Sequence, residues 1–569
     1  MTPMHPSPAR SGAPAARRLP HPASLALLVA LASPAQAQDQ PPPREDQRPP
    51  AEAPAAATRG LRTKTEACSP GYTLYAPLRS HSTWLVDLDG AVVHEWKAAQ
   101  VPGQSVHLLD DGSLLRCERV ESAIFHGGGQ GGAVRRYAPD GSLLWEYVCA
   151  DETRLQHHDV EPLPNGNVLL VAWERKLGDE CFALGRDEES LQSGELWPDM
   201  VLEIKPTGAK GGEIAWEWHA WDHLVQDRDP ARPNHGKIAE HPRRIDINAG
   251  LARSSPAEDA RLRALGYAGD APRGRPPEGG DWTHVNAIDH HAELDLIVLS
   301  VHTLNELWII DHSTTTAEAR TGEGGRRGVG GDLVARVGGT VHSRPGEPVL
   351  FGQHTAHWIE AGKPGAGNLL LFNNGLGSTR GYSSVDEIAF DLSPEALAKG
   401  SRPSLAWTWS SPDIRSDRIS GAQRLSNGNT LVCAGEGGRV VEVDPQGEVA
   451  WDYLQPHGGE IAPPGRGPGG RGGEGRGPAR RAGEERGPGG PPPAGDAPGF
   501  AQGPSRQGEG EAGRGDAPRR GAGRGPDGRA GRGPGGGPMS PNAVFRAERY
   551  APDHPGIVAL FKAKASAGK

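Results

Sequence analysis

The chain has 569 residues, with 61 Lys and Arg against 71 Asp and Glu and a formal net charge of −10, so it offers no general electrostatic footprint for nucleic acid. It is long for one ordinary domain, although a propeller can use such length as a single body. Gly (81) and Pro (53) are abundant, and helix formers do not fall into long periodic runs, which favours a mainly β fold.

In chain order, Arg17-Arg18 precede the apolar run Leu25–Ala32, and Ala35-Gln36-Ala37 offers a small-x-small cleavage site. Residues 1–37 therefore read as a signal peptide, and the expected location is periplasmic or secreted. The run is too short to span a bilayer, and no later stretch is long and apolar enough to do so. The paired arginines allow twin-arginine export, but the rest of that motif is missing. Residues 38–66, rich in Pro, Ala and charge, are predicted to be a disordered leader.

Strands begin near Gly71–Tyr75, and the first hairpin closes through Trp84–Val93. From there two phrases recur. Leu163–Leu170 (Leu-Pro-Asn-Gly-Asn-Val-Leu-Leu) is echoed by Leu425–Leu431 and, more weakly, by Leu109–Leu115 and Gly365–Leu370. Each reads as two strands joined by a tight turn. The second phrase, a Gly followed four residues later by Trp, occurs at Gly141/Trp145, Gly212/Trp216 and Gly447/Trp451, where the Trp is expected to plug between sheets. A sheet unit repeated at wide spacing predicts a propeller. Five inner strands are expected near His107, His158, His284, His354 and Gly421, with a sixth blade shared between Gly71–Trp96 and Asn542–Tyr550. The predicted fold is all-β, a six-bladed β-propeller over 67–456, closed by 541–569.

Two stretches interrupt this pattern. Residues 220–280 are polar, with one predicted helix, Pro256–Leu265, capped by Ser255 and stopped by Gly266. Residues 457–540 are low-complexity Gly, Pro, Arg and Glu with Phe500 as the sole aromatic, so they cannot bury a core. That segment is predicted to be a disordered insertion between two strands of the last blade. The five cysteines are an odd number, and none forms C-x-x-C, so neither a haem attachment nor a zinc ribbon is indicated. Cys117, Cys149 and Cys433 read as buried small hydrophobes.

The candidate chemistry lies in three histidine-headed phrases: Phe351–Ile359, Asp281–Asp289 and Gln156–Glu161. Strand alternation places His354 and Ala356 on one face, with Thr355 and His357 on the other. A single histidine at a strand start is more often structural than catalytic. Three at equivalent positions of three blades would gather His158, His284 and His354 on the central axis, where neutral imidazole is both nucleophile and proton carrier.

The phrases Asp281–Asp289, Gln353–Ile359 with Leu369–Gly375, and Ser420–Trp451 resemble bacterial arylsulfotransferases, a similarity covering most of residues 68–560 apart from the low-complexity segment. The resemblance implies transfer of a sulfuryl group from a phenolic sulfate ester to a phenolic acceptor through a sulfohistidine. It gives His354 the nucleophile's role and His284 that of catalytic partner. The family's Arg-His pair falls on Leu299–Leu304, where His302 stands at the arginine position and Thr303 at the histidine position, a departure from the pattern. Arg336 is the nearest match to a further family arginine. Cationic Arg336 and His302 would hold the sulfate oxygens, and His158, His357, Asn286 and Asn374 are the expected substrate contacts. No G-x-x-x-x-G-K-[ST] loop is present, so a nucleotide donor is not indicated.

The expected partners are small aromatic sulfate esters and phenols, with no nucleic acid, membrane, cofactor or metal, and a homodimer stays open. Three rivals stand beside this reading. One is a quinone-dependent dehydrogenase-like propeller and another a non-catalytic ligand-binding propeller. The third is a metal site drawn from His157, His158, Asp159, His219, His223, His290 and His291, although no metal-ligand spacing groups them and His290-His291 is expected in a solvated turn.

Overall fold

The structure, a computed structural model, describes residues 58–191, 193–250, 280–339, 345–375, 380–458 and 540–567. The expected signal peptide, the helix Pro256–Leu265 and most of the low-complexity segment lie outside these residues.

Six antiparallel sheets form the propeller. Blade 1 takes its inner strand, Val544–Tyr550, from the C-terminal part of the chain and its others, Tyr72–Pro77, Ser82–Val86 and Val92–Lys97, from the N-terminal part. Blades 2 to 6 begin at the axis with Pro102–Leu108, Arg154–Pro162, Val285–His291, His354–Trp358 and Gly421–Arg424. These are the five inner strands read from sequence, and the shared sixth blade closes the ring so that no inner edge is left open.

Side-chain alternation explains the closure. Along Val168–Glu174, Val168, Leu170 and Ala172 pack with Leu115 and Val134 of blade 2. Leu169 and Val171 pack with Ile297 and Leu299 of blade 4. Every strand of this kind is buried on both faces, and one apolar cluster fills each of the six blade junctions, including the junction of blade 6 with blade 1. The repeated phrases have two distinct jobs. The Asn-Gly and Asp-Gly turns join first and second strands, with Gly166 at φ 84° and Gly428 at φ 92°, a backbone that L side chains rarely adopt. The outer-strand tryptophans clamp each blade to the next: Nε1 of Trp96, Trp145, Trp216, Trp409 and Trp451 donates to Ala138 O, Gly211 O, Thr314 Oγ1, Gly447 O and Leu88 O. Each acceptor belongs to the turn between third and fourth strands of the following blade. Blade 4, whose fourth strand is Ala335–Gly338, has no such tryptophan.

Three sequence expectations need correction. The leader ends before residue 66, because Gly60–Lys64 pairs antiparallel with Val449–Leu454 as a fifth, outermost strand of blade 6. Backbone pairing at a sheet edge needs no apolar side chains, so composition did not reveal it. The low-complexity segment joins the outer part of blade 6 to the inner strand of blade 1, a link between blades and not a loop within one. The described part of 220–280 is built chain, in which Leu224–Val225 pairs in parallel with Ile245–Asp246, and Leu224, Ile245 and Ile247 enter the core between blades 3 and 4. Two further elements gave no sequence signal: a helix, Gly178–Ala183, within blade 3, and a C-terminal helix, Pro555–Ala567, whose Ile557 and Leu560 join the core of blades 1 and 2. All five cysteines are unpaired, and burial pushes the thiols of Cys117 and Cys433 up to about 12, which leaves them inert at neutral pH.

Candidate active site

Inner strands start at the axis, and most of them start with a break in the ladder. His158, His284 and Thr355 have φ values of 53°, 52° and 52°. A left-handed backbone at a non-glycine residue costs roughly 1–3 kcal/mol and tends to mark functional sites. The equivalent positions are therefore His158, His284 and Thr355, so His354 lies one residue earlier than the supposed three-fold equivalence. The break also changes parity. His354 pairs with Phe372 and His357 with Leu370, so three steps on one strand face two on the other. One extra residue returns His354 and His357 to the same side of the strand, contrary to simple alternation.

The imidazoles do converge. Ring centroids step from His157 to His158 (5.1 Å), His284 (4.6 Å), His302 (5.1 Å) and His354 (5.1 Å). Two of these rings, His284 and His157, are anchored by carboxylates from behind. Asp281 Oδ2 lies 2.5 Å from His284 Nδ1, and its Oδ1 accepts from Trp173 Nε1 at 3.1 Å. Asp199 Oδ1 lies 2.7 Å from His157 Nε2, and the Nδ1 atoms of His157 and His158 are 2.8 Å apart. Asp199 is held in turn by Thr283 Oγ1 and by Val285 N–H.

His354 is set differently, by neutral groups. Its Nδ1 faces Asn374 Oδ1 at 2.8 Å and Gly352 O at 3.1 Å, both acceptors, so Nδ1 carries the proton. Asn374 is fixed in that orientation because its Nδ2 donates to Ser416 O and Ile419 O. The remaining lone pair, on Nε2, accepts from Ile419 N–H at 3.2 Å. Ile419 and Ser420 have φ of 53° and 91°, so a strained turn holds that donor in place.

These surroundings separate the protonation states. Burial opposes charge on His284, but the charge and hydrogen bond of Asp281, with Asp199 farther off, outweigh it and raise its pKa above the usual imidazole value. For His354, burial outweighs the bonds to Asn374 and Gly352, and with the nearby charge of His284 it pushes the pKa down to about 4. Burial and then the charges of their histidine neighbours take His158 and His302 well below the usual value. The surroundings thus favour the charged form of His284 and the neutral forms of His354, His158 and His302. His284 is also more open than His354, half-buried where His354 is buried.

Several expected site residues do not join the cluster. Arg336 lies on the fourth strand, at the rim of blade 4, and donates to Pro242 O, Arg244 O and Glu306 Oε2. It ties the 220–250 segment to the blade. Asn286 is fully buried and donates to Gln353 O, bracing the strand that carries His354. Asn374 lies behind His354, with its amide fully used. His302 does join, but as a neutral ring and not as the expected cation. His357 faces a cavity of about 940 Å³ farther along the axis, lined by His107, Asp159, Glu161, Asp289, Arg546 and Glu548. There Arg546 donates to Asp159 and His107, while burial, chiefly, pushes Asp289 up to about 7 and Glu161 well above the carboxylate range.

Sequence reasoning missed three contributors. Asp281 was part of a quoted phrase but received no role; its spacing of three before His284 was the available signal. Asp199, 85 positions before His284, gave none. The third is the glycine run Gly127-Gly128-Gly129, which lies over the rings: a Cβ on Gly129 would fall 2.0 Å from His158 Cε1, and one on Gly127 would fall 2.5 Å from the Trp173 ring. Only glycine permits this approach. The residues of the metal rival are dispersed. His219 pairs with Glu174 and His223 with Asp332. His290 is strand and not solvated turn, and His291 packs on Trp358.

Comparison with known proteins gives one family match. Residues 64–395, more than half of the chain, match the model of the arylsulfotransferase (ASST) family, a span that includes His158, His284, His302 and His354. No protein of curated function matches. Among solved structures, a protein of unknown function from Bacteroides caccae is 12% identical, covering 68% of this chain and 94% of that one with a TM-score of 0.36. A periplasmic gluconolactonase from Pseudomonas aeruginosa is 13% identical, covering 68% and 97% with a TM-score of 0.35. A catalytically inactive virginiamycin B lyase from Staphylococcus aureus, solved with quinupristin, is 8% identical, covering 69% and 88% with a TM-score of 0.32. These scores are too low to inform the reading of the site.

Proposed function

The chain belongs to the arylsulfotransferase family, and from that membership we propose that it moves a sulfuryl group from a phenolic sulfate ester to a phenol through a sulfohistidine at His354. The observation that carries this reading is the pairing of His354, whose surroundings favour the neutral ring, with His284, whose charged form Asp281 supports, in one cluster bridged by His302.

In the first half-reaction the Nε2 lone pair of His354 attacks sulfur, the N–S bond forms and the S–O bond to the aryl group breaks. Sulfuryl transfer passes through a loose arrangement with charge spread over the equatorial oxygens and the leaving oxygen. His284, charged because of Asp281, gives its proton to the departing phenolate. Nδ1–H of His354 stays bonded to Asn374, which favours the positive charge that the ring acquires. Attack requires Nε2 to give up Ile419 N–H, and that donor then points at the region of the sulfuryl oxygens. In the second half-reaction neutral His284 takes the proton of the acceptor phenol, whose oxygen attacks sulfur and breaks the N–S bond.

The reading is tested with purified protein, 4-nitrophenyl sulfate and phenol, without nucleotide. Transfer to phenol with ping-pong kinetics is expected, and transfer retained in His354→Asn removes His354 as nucleophile. Export to the periplasm or beyond, supported by Arg17-Arg18 and the run Leu25–Ala32, is part of the same proposal.

A further inference from the structure

At the far end of blade 4, two histidines and an aspartate that the transfer chemistry does not use stand together. His290 is the penultimate residue of the inner strand, Asp295 occupies the turn into Leu296–Val301, and His312 follows Glu306–Asp311. Asp295 Oδ1 lies 3.1 Å from His290 Nε2 and 2.9 Å from His312 Nδ1, and all three donor atoms lie within 4.8 Å of one another. The backbone holds them: Asp295 adopts φ 52°, and His312 N–H donates to Asp295 O at 3.1 Å. The other imidazole nitrogen of His312, Nε2, lies 3.1 Å from Glu203 Oε2, and Glu203 is itself bonded by Asn165 and Asn167.

We propose that His290, Asp295 and His312 bind one transition-metal dication, with Glu203 orienting His312. Donors around a tetrahedral zinc with bonds of 2.0–2.1 Å stand about 3.3 Å apart, close to the spacing found here. A carboxylate on the far nitrogen of a ligating histidine fixes its tautomer and raises its basicity. Two imidazoles and one carboxylate favour Zn²⁺, or Co²⁺, Ni²⁺ and Cu²⁺, over Ca²⁺ and Mg²⁺. Three protein ligands leave a position for water or an exogenous ligand, and the group opens on a cavity of about 690 Å³ lined by His290, Asp295, His312 and Glu203. Arg326 Nη2, 3.5 Å from Asp295 Oδ2, stays on the oxygen that the ion does not need. The group lies six residues beyond His284, roughly 20 Å along the strand, and the inference does not rest on the transfer reading.

The test is equilibrium dialysis of chelator-stripped full-length protein against micromolar ZnCl₂ with metal analysis, repeated with Co²⁺ and its visible absorption. One bound equivalent is expected, lost in His290→Ala and Asp295→Asn, weakened about 10–100-fold in Glu203→Gln, and kept in His302→Ala. Wild-type protein that stays folded by circular dichroism yet binds no zinc overturns the proposal. So does an equivalent that survives both ligand variants or disappears in His302→Ala, since the ion would then belong to the axial cluster. Should His290→Ala fail to fold, the wild-type stoichiometry and Asp295→Asn decide.

Discussion

The two ends of the propeller's axis are built from the same inner strands and carry opposite chemistry. At one end the residues where these strands begin bring four imidazoles within about one ring of each other, with carboxylates only behind them. One to five residues beyond His158, His284 and His354, the same strands present Asp159, Glu161, Asp289 and His357, with His107, Arg546 and Glu548, around a much larger cavity. An aryl sulfate carries negative charge throughout its transfer. On the proposed reading the imidazole end would receive it with His284, whose charged form is favoured, and with neutral N–H groups, whereas the other end sets acidic side chains beside Arg546 and His107.

Five substitutions separate the two ends, in falling order of effect. His354→Asn should lower transfer by about 10⁴-fold or more, because among the described residues no other imidazole has an amide-fixed Nδ1–H and a directed lone pair on Nε2. Asp281→Asn should cost roughly 10²–10⁴-fold with phenyl sulfate and less with 4-nitrophenyl sulfate, whose leaving group needs little protonation. Asn374→Ala should reduce kcat about tenfold with KM little changed, since the amide positions His354 and does not reach substrate. His357→Ala or Glu161→Gln, at the carboxylate end, should leave steady-state rates within about threefold. A large loss in either of the last two variants would break the comparison.

The pH profile sharpens it further. Donor kcat/KM needs neutral His354 and charged His284. It should fall on the acid side as His354 is protonated near pH 4, and on the alkaline side as His284 loses its proton above the usual imidazole value. In Asp281→Asn the support for the imidazolium is gone, so the alkaline limb should move to lower pH. A limb that stays in place would mean that another group titrates.

Much of this fold could be read from residues alone, for a physical reason. Turns such as Asn165-Gly166 and Asn427-Gly428 need a left-handed residue, and tryptophans such as Trp145 and Trp451 fill the same niche in successive blades, so both leave local and repeated marks. The heads at His158, His284 and His354 carried the same kind of mark and did converge. Features that depend on one break in a ladder, or on partners distant in the chain, left none. The left-handed Thr355 inverted the expected facing of His357. Asp199, 42 residues after His157 on the third strand of blade 3, reaches that ring within the blade and is held by Thr283 and Val285 of blade 4. Arg336 matched a family position in sequence, but its strand is the rim strand of blade 4, and there its guanidinium meets backbone carbonyls of the 220–250 segment. The strand Gly60–Lys64 is held by backbone pairing that leaves no hydrophobic trace.

The central claim is that His354 carries the sulfuryl group between donor and acceptor. Its most direct test is the mass of intact protein after incubation with donor alone, followed by peptide mapping under alkaline conditions. One acid-labile sulfuryl group on the peptide containing His354, discharged when phenol is added, is the predicted result. Turnover without any such adduct, or an adduct on His158, His284 or His302 in its place, would contradict it.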